Sequence, residues 1–252
     1  MTINLFVSFW KSDSDIRNLE IIDTYIKNAS VDIFDNIYIF IENELDNEYL
    51  NNSIHSTIET SVTKSKIHYI VLNERTTYQL IIDFINTISS VNDINVIANS
   101  DILFNHSLFR LETKLDHNTF YCITRHELDG SLYWIRNTSI TEVYIGSQDV
   151  WIWKGICKIN NANFYFGIPT ADHKLAYLAN QSGYSVKNPC LSIIVTHNHK
   201  SNIRSGSSSY STQKKLNPPY LFLKPIFLND SIEFFVDGGI PNTLLLTKED
   251  ND

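Results

Sequence analysis

The sequence has little with which to grip a phosphate backbone or build a disulfide framework. Acidic residues outnumber basic ones by 28 to 20, for a formal net charge of -8. No positive field would draw nucleic acid, and no lysine run stands beside an aromatic series, so nucleic acid is not an expected partner. The 3 cysteines, Cys122, Cys157 and Cys190, are far apart, odd in number and in no C-x-x-C arrangement. They read as reduced core residues of a cytosolic protein, and a zinc site made from them is not expected. Glycine is scarce at 8 residues, and "FWKSDSD" after the first apolar run has none, whereas a triphosphate-gripping loop is Gly-rich and basic. No apolar stretch approaches the roughly 18 to 20 residues of a membrane helix. The start, "MTINLFVSFWKSDSD", lacks the basic region and small-residue cleavage site of a signal peptide. A soluble, cytoplasmic protein is expected, with peripheral membrane contact left open.

What is present is globular: 43% hydrophobic, 12% aromatic and 19% charged residues over 252 positions, enough for one sizeable core. The first half alternates β-branched or aromatic runs with helical periodicity, the pattern of a mostly parallel sheet covered by helices. "INLFVSFW" (Ile3 to Trp10), "NIYIFIE" (Asn36 to Glu42), "KIHYIVL" (Lys66 to Leu72) and "INVIANS" read as strands, with the first, third and fourth expected to be parallel neighbours. Ser12, Asp13 or Ser14 caps a helix whose apolar positions are Ile16, Leu19, Ile22 and Ile26. A polar segment before the third strand reads as a loop with one helix. Another helix, from about Thr77 to Ser89, carries Leu80, Ile81, Phe84, Ile85 and Ile88.

After Asp101 the strands become shorter: "TFYCIT", "DVWIWK" and "LSIIVTH", with a helix near Ala171 to Ser182. "SNIRSGSSSYSTQ" reads as a mobile loop. Two Pro-bounded aromatic segments and the acidic tail "KEDND" follow Asn217. The expected organisation is one domain over 1–215, with a nucleotide-binding half (1–104) and a less regular acceptor half (105–215). An extension, 216–252, packs on it and ends in a frayed tail.

"VIANSDILF" carries the sharpest chemical signal. A strand apolar on both faces stops on Asn99-Ser100-Asp101, which therefore emerges at the carboxyl edge of the sheet, where open α/β folds bind ligands. A polar turn is the ordinary explanation. The functional one is a carboxylate delivered to Mg²⁺ or Mn²⁺, which would neutralise a diphosphate. A second ligand could come from "VTHNHKSNIR": His197 and His199 share a face if the strand persists, and Arg204 suits bidentate phosphate contact. Spacing does not choose between the histidines. In "GSQDVWIWKG", Asp149 sits in a Gly-led turn before Trp151 and Trp153; sugars pack on aromatic rings while a carboxylate handles a hydroxyl, so Asp149 is the candidate general base. Asp172 in "FGIPTADHKLAY" either caps a helix or binds an acceptor hydroxyl. Arg75 and Tyr78 in "NERTTYQ" lie at the end of the third strand, in reach of a nucleotide.

Taken in order, "ERTTYQ", "VIANSDILF", "GSQDVWIWKG", "FGIPTADHKLAYLANQSGY" and "NPCLSIIVTHNHKSNIR" resemble a family of small bacterial and viral glycosyltransferase-like proteins of GT-A fold, associated with polysaccharide synthesis. The resemblance spans roughly Ile3 to Tyr210. It implies a Rossmann-related α/β fold and metal-assisted transfer of a sugar from a nucleotide-diphosphate sugar, UDP-linked in expectation, to a saccharide acceptor. It also implies a donor site of Arg75, Tyr78, Asn99, Asp101 and Arg204, metal at Asp101 with His197 or His199, and an acceptor side with Trp151 and Asp172. Asn99 stands where the family's D-x-D motif has its first Asp, and "PTADH" replaces a Gly-Cys-Asp-Asn-like string. A sugar nucleotidyltransferase and a non-catalytic glycan-binding protein are the alternatives.

Overall fold

The computed structural model describes residues 1–57, 64–137, 143–201, 203, 215–230, 232–237 and 244–248. The chain begins β1 (Ile3–Phe9), α1 (Asp15–Ser30), β2 (Asn36–Ile41), α2 (Glu44–Thr57), β3 (Ile67–Val71), α3 (Tyr78–Ile88), β4 (Ile94–Ala98) and β5 (Ile102–Phe104). A short 3-10 turn, His106–Arg110, runs into α4 (Leu111–Lys114). Then come β6 (Thr119–Ile123), β7 (Trp134–Asn137), β8 (Val143–Gly146), β9 (Val150–Lys154), α5 (Ala171–Gln181), β10 (Ser185–Lys187) and β11 (Val195–His197). The chain's last described elements are β12 (Tyr220–Leu223), β13 (Ile232–Asp237) and β14 (Leu244–Lys248).

The expected α/β architecture is present: a 7-stranded, mostly parallel central sheet in the order β10-β6-β9-β4-β1-β2-β3, flanked by helices. β1, β2, β3 and β4 are parallel, and β9 runs antiparallel between β4 and β6. One expectation is corrected. β4 is the neighbour of β1, but β3 pairs with β2 and lies at the sheet edge, because each short crossover adds its strand outward before the chain returns across β1. That return makes a switch point between β1 and β4, and their carboxyl ends flank the crevice there.

Side-chain alternation sends β1's Leu5, Val7 and Phe9 to one core and Phe6 to another, on opposite faces of the sheet. Ile21, Ile22 and Tyr25 of α1 and Leu50 and Ile54 of α2 close the first; Ile81 and Ile85 of α3 and Leu175, Ala176 and Ala179 of α5 close the second. Leu221 and Leu223 of β12 join the second cluster. Cys122, Cys157 and Cys190 are buried and unpaired. No helix among the described residues is long and apolar enough to cross a membrane.

Ser14 caps α1 by accepting from Arg17 N, and Thr77 caps α3 by accepting from Leu80 N. The expected apolar stripe of α1, however, is rotated. Ile16 and Leu19 are 61% and 59% exposed, while Arg17 and Asn18 are buried. Polar work inside the fold has taken the inward positions: Asn18 accepts from Ser12 N at 2.8 Å and donates to Ser12 O at 2.9 Å. In α3, Ile88 is likewise exposed and Ile82 is buried instead. Of the strand expected over Leu191–His197, only β11 forms, antiparallel to β5.

Candidate functional site

A cleft of about 750 Å³ opens at the switch point. Ser8 near the end of β1 and Trp10 just after it, Arg75 and Thr76 after β3, Asn99 to Asp101 after β4 and Ser147 to Asp149 before β9 all line it. His197 and His199 close it from the C-terminal half. Its size is that of a small-ligand or cofactor site.

Asp101 is placed by main-chain bonding on its far side, where Asn198 N donates to Asp101 O at 2.7 Å. Its Oδ2 takes His197 Nε2 at 3.0 Å and a close contact from Arg17 Nη2. Burial works to protonate Asp101, but His197 and Arg17 outweigh it and hold its pKa far below the ordinary carboxylate range. His197 sits between two carboxylates, with Nδ1 3.2 Å from Glu127 Oε2. Burial disfavours its charge, yet the bond to Asp101 prevails and raises its pKa. His199 behaves oppositely: burial and the charges of Arg17 and His197 lower its pKa. Ligand atoms of Asp101, His197 and His199 all lie within 4.8 Å of one another. One carboxylate and two imidazoles suit Mn²⁺ better than Mg²⁺. A cation there would compete with Arg17 for Asp101 and with a proton for His197.

Asp149 lies on the cleft's other wall, 2% exposed. Its Oδ1 accepts from Asn99 Nδ2 at 2.8 Å and Arg125 Nη1 at 3.0 Å, and its Oδ2 accepts from Ser147 Oγ. Burial pushes its pKa up, against the pull of Arg125. A carboxylate offers about four lone-pair sites, so these three donors leave room for a proton from a ligand. Arg125 also binds Glu127 Oε1 at 3.0 Å and lies 4.2 Å over the Tyr133 ring.

Polar contacts therefore link Asp149, Arg125, Glu127, His197, Asp101, Arg17 and Glu20 in one continuous chain in which each carboxylate is followed by a guanidinium or an imidazole. Glu20 Oε1 then accepts from Lys200 N at 3.0 Å and Ser201 N at 2.6 Å, tying the segment after β11 onto α1. Arg17, Arg125 and Glu127 were not singled out from sequence. The signal for the latter two was present: "TRHE" follows the wholly buried β6 just as Asn-Ser-Asp follows β4.

The remaining candidates fall as follows. Arg75 lies 4.4 Å over the Tyr165 ring, with Nη2 3.4 Å from Phe166 O, on the cleft wall. Tyr78 is buried and stacks on Phe166 at 3.9 Å. Asn99 spends its amide on Asp149 rather than facing the cleft free. Trp151 is fully buried, edge-on to Tyr78 at 5.1 Å, and so is no open platform for a sugar face. Asp172 does not cap α5; its Oδ2 accepts from Gln148 N at 3.2 Å, which brings it to the same cleft. The cap position is Thr170, whose left-handed backbone (φ 73°) is unusual for a β-branched residue. Arg204 lies outside the described residues.

Open α/β folds with a cleft at the carboxyl edge form the class to which this arrangement belongs. No family model matches the chain, and no curated protein matches its sequence. Among solved structures it is similar to the inositol-1-phosphate CTP transferase from T. maritima, with a TM-score of 0.50 and 8% identity over 83% of this chain and 95% of that one. It also matches a mannosyltransferase from Pyrobaculum calidifontis in complex with GDP-Man and Mn²⁺ (TM-score 0.48, 10% identity, 80% of this chain and 58% of that one). GalNAc-T7 with UDP, GalNAc and Mn²⁺ matches at TM-score 0.48 and 10% identity, over 81% of this chain and 45% of that one. At such identities the likeness is one of fold.

Proposed function

We propose that this chain is a glycosyltransferase that moves a sugar from a nucleotide-diphosphate sugar, UDP-linked, to a saccharide acceptor in glycan or polysaccharide synthesis. The observation that carries this reading is the pairing, across one cleft, of three side chains of metal-ligating type with a buried carboxylate. Asp101, His197 and His199 would hold Mn²⁺ or Mg²⁺, which supplies charge to neutralise the departing diphosphate. Arg75 and Tyr78 flank the nucleotide side, and Asp172 the acceptor side. Asp149 accepts the proton of the attacking hydroxyl. A neutral hydroxyl is a poor nucleophile, and a positioned base contributes ~10² to 10⁴-fold. Burial raises the pKa of Asp149 toward the working range of a base, against the pull of Arg125.

Thermal shift with a panel of nucleotide sugars and Mn²⁺ tests the donor assignment, since a ligand of the native state raises its melting temperature. At least one nucleotide sugar should stabilise the wild type, and Asp101→Ala should lose the Mn²⁺-dependent part. Equal stabilisation of both proteins would place the metal elsewhere.

A sugar nucleotidyltransferase is the second reading, since the CTP transferase shares this fold. Against it, the loop after β1 has no glycine, and its Lys11 Nζ lies 4.5 Å over the Tyr49 ring rather than presenting a free ammonium. Release of pyrophosphate from a nucleoside triphosphate would favour it.

A further inference from the structure

Three hydrogen-bonding side chains that line the cleft lie deep in the fold without partners among the described residues: Thr76, whose Oγ1 is orphaned after β3, and two neighbours at the start of β9. Gln148 is 2% exposed, and neither its amide oxygen nor its amide nitrogen has a partner among the described residues. Three residues on, the indole Nε1 of the fully buried Trp151 is likewise unpartnered among them. Both residues line the cleft. Buried polar groups in folded proteins are nearly always paired, so orphans clustered in one cleft call for a partner that arrives from outside.

The surroundings define that partner. Tyr78 meets Trp151 edge-on at 5.1 Å and stacks on Phe166, giving an aromatic wall. Asp172 accepts from Gln148 N, so the start of α5 brings a carboxylate against the same turn. Asp149, the residue next to Gln148, brings a second. Of the cations lining this part of the cleft, Arg125 is already engaged by Asp149 and Glu127, and Arg75 lies over the Tyr165 ring with Nη2 3.4 Å from Phe166 O. The unmet needs are one acceptor for the indole N–H and both a donor and an acceptor for the amide. A hydroxyl fills either role, whereas an anionic group could not donate to the amide oxygen and would meet two carboxylates.

We propose that Gln148 and Trp151 form a subsite for a neutral hexosyl ring of the donor sugar, read through its hydroxyls, and that it rejects uronic acids. Trp151 thus acts through its N–H, not its face. The proposal rests on the glycosyltransferase reading and narrows its substrate class. The arrangement also predicts a trade-off, because an amide left unpaired in the free protein destabilises the fold that keeps it.

The experiment measures calorimetric affinities of UDP, UDP-glucose, UDP-galactose and UDP-glucuronate with Mn²⁺, for wild type, Gln148→Leu and Trp151→Phe. A parallel arm follows methyl glucoside and methyl galactoside by saturation-transfer NMR without nucleotide. A neutral UDP-hexose should bind at least ~10-fold tighter than UDP-glucuronate, and in both variants that ratio should narrow through weaker binding of the neutral sugar, as lost hydrogen bonds to buried polar groups require, while Asp149 and Asp172 remain. Gln148→Leu should also melt no lower than wild type, because it removes an orphaned amide. UDP binding without discrimination between the sugars overturns the subsite and leaves the donor site standing. Methyl hexosides that bind wild type but not the variants, with no UDP compound binding, uphold the subsite and overturn the UDP reading. No binding in either arm removes both. A melting temperature lowered in Gln148→Leu, with the sugar ratio intact, would make the amide structural and end the proposal.

Discussion

Removing Arg125 should expose how Asp149 is kept charged inside the fold. Arg125→Met preserves much of the stem but leaves a 2%-exposed carboxylate without its cation. Breaking a buried pair by deleting one partner costs about 3–5 kcal/mol. The lower end applies here, since Asn99 and Ser147 still donate to the carboxylate. About 3 kcal/mol corresponds to a melting temperature lower by roughly 6–12 °C in a chain of this size. The loss should depend on pH with a definite sign. Asp149 is an acid whose folded pKa lies above its ordinary value through burial, and without Arg125 it rises further. From the ordinary value up to the raised one, the native state holds more protons than the unfolded state, so stability falls as pH rises. Arg125→Met should therefore be weakest at the alkaline end of the range and recover as pH falls toward the ordinary carboxylate value. Arg125→Met/Asp149→Asn, which removes the orphaned charge, should regain most of the difference at the alkaline end. Denaturation scans of wild type and the variants across that range are the assay. A pH-independent loss, or a double variant no more stable than the single, would refute the account of a buried, Arg-held carboxylate.

Three further outcomes follow. Asp101→Ala should lower affinity for Mn²⁺·UDP at least ~10-fold in calorimetric titration, through loss of its carboxylate ligand, with little change for UDP alone. Asn99→Asp, which would supply the first acid of a D-x-D pattern, should not strengthen metal binding; it replaces a donor 2.8 Å from Asp149 with a like charge, and a melting temperature at or above that of wild type would contradict this. Ile16→Ser and Leu19→Ser should each change stability by no more than about 0.5 kcal/mol, as surface substitutions do, whereas core positions of α1 such as Ile22→Ser should unfold far more readily in urea.

The parallel strands were legible because they are apolar on both faces and bounded by polar turns, so their ends were placed within a residue or two. Asn99-Ser100-Asp101 was legible for the same reason. The face of α1 was not: periodicity assigns Ile16 and Leu19 inward, but Arg17 must reach Asp101 and Asn18 must tie down Ser12, and those bonds set the helix rotation. Trp151 misled through its chemistry. An aromatic residue beside a carboxylate suggests a sugar platform, yet β9 is an interior strand whose alternation buries Trp151 and Trp153 in the core. Arg125 and Glu127 escaped notice because each has an ordinary surface role in sequence. Only the meeting of β6, β9 and β11 makes them links between Asp149 and His197.

The most direct test of the central claim is phosphorus NMR of the products formed from nucleotide sugars, Mn²⁺ and a saccharide acceptor mixture. Wild type should release a nucleoside diphosphate from at least one donor, and Asp149→Asn should do so at least ~10²-fold more slowly while still binding that donor. Pyrophosphate formed from added nucleoside triphosphate, or undiminished diphosphate release by Asp149→Asn, would contradict the account.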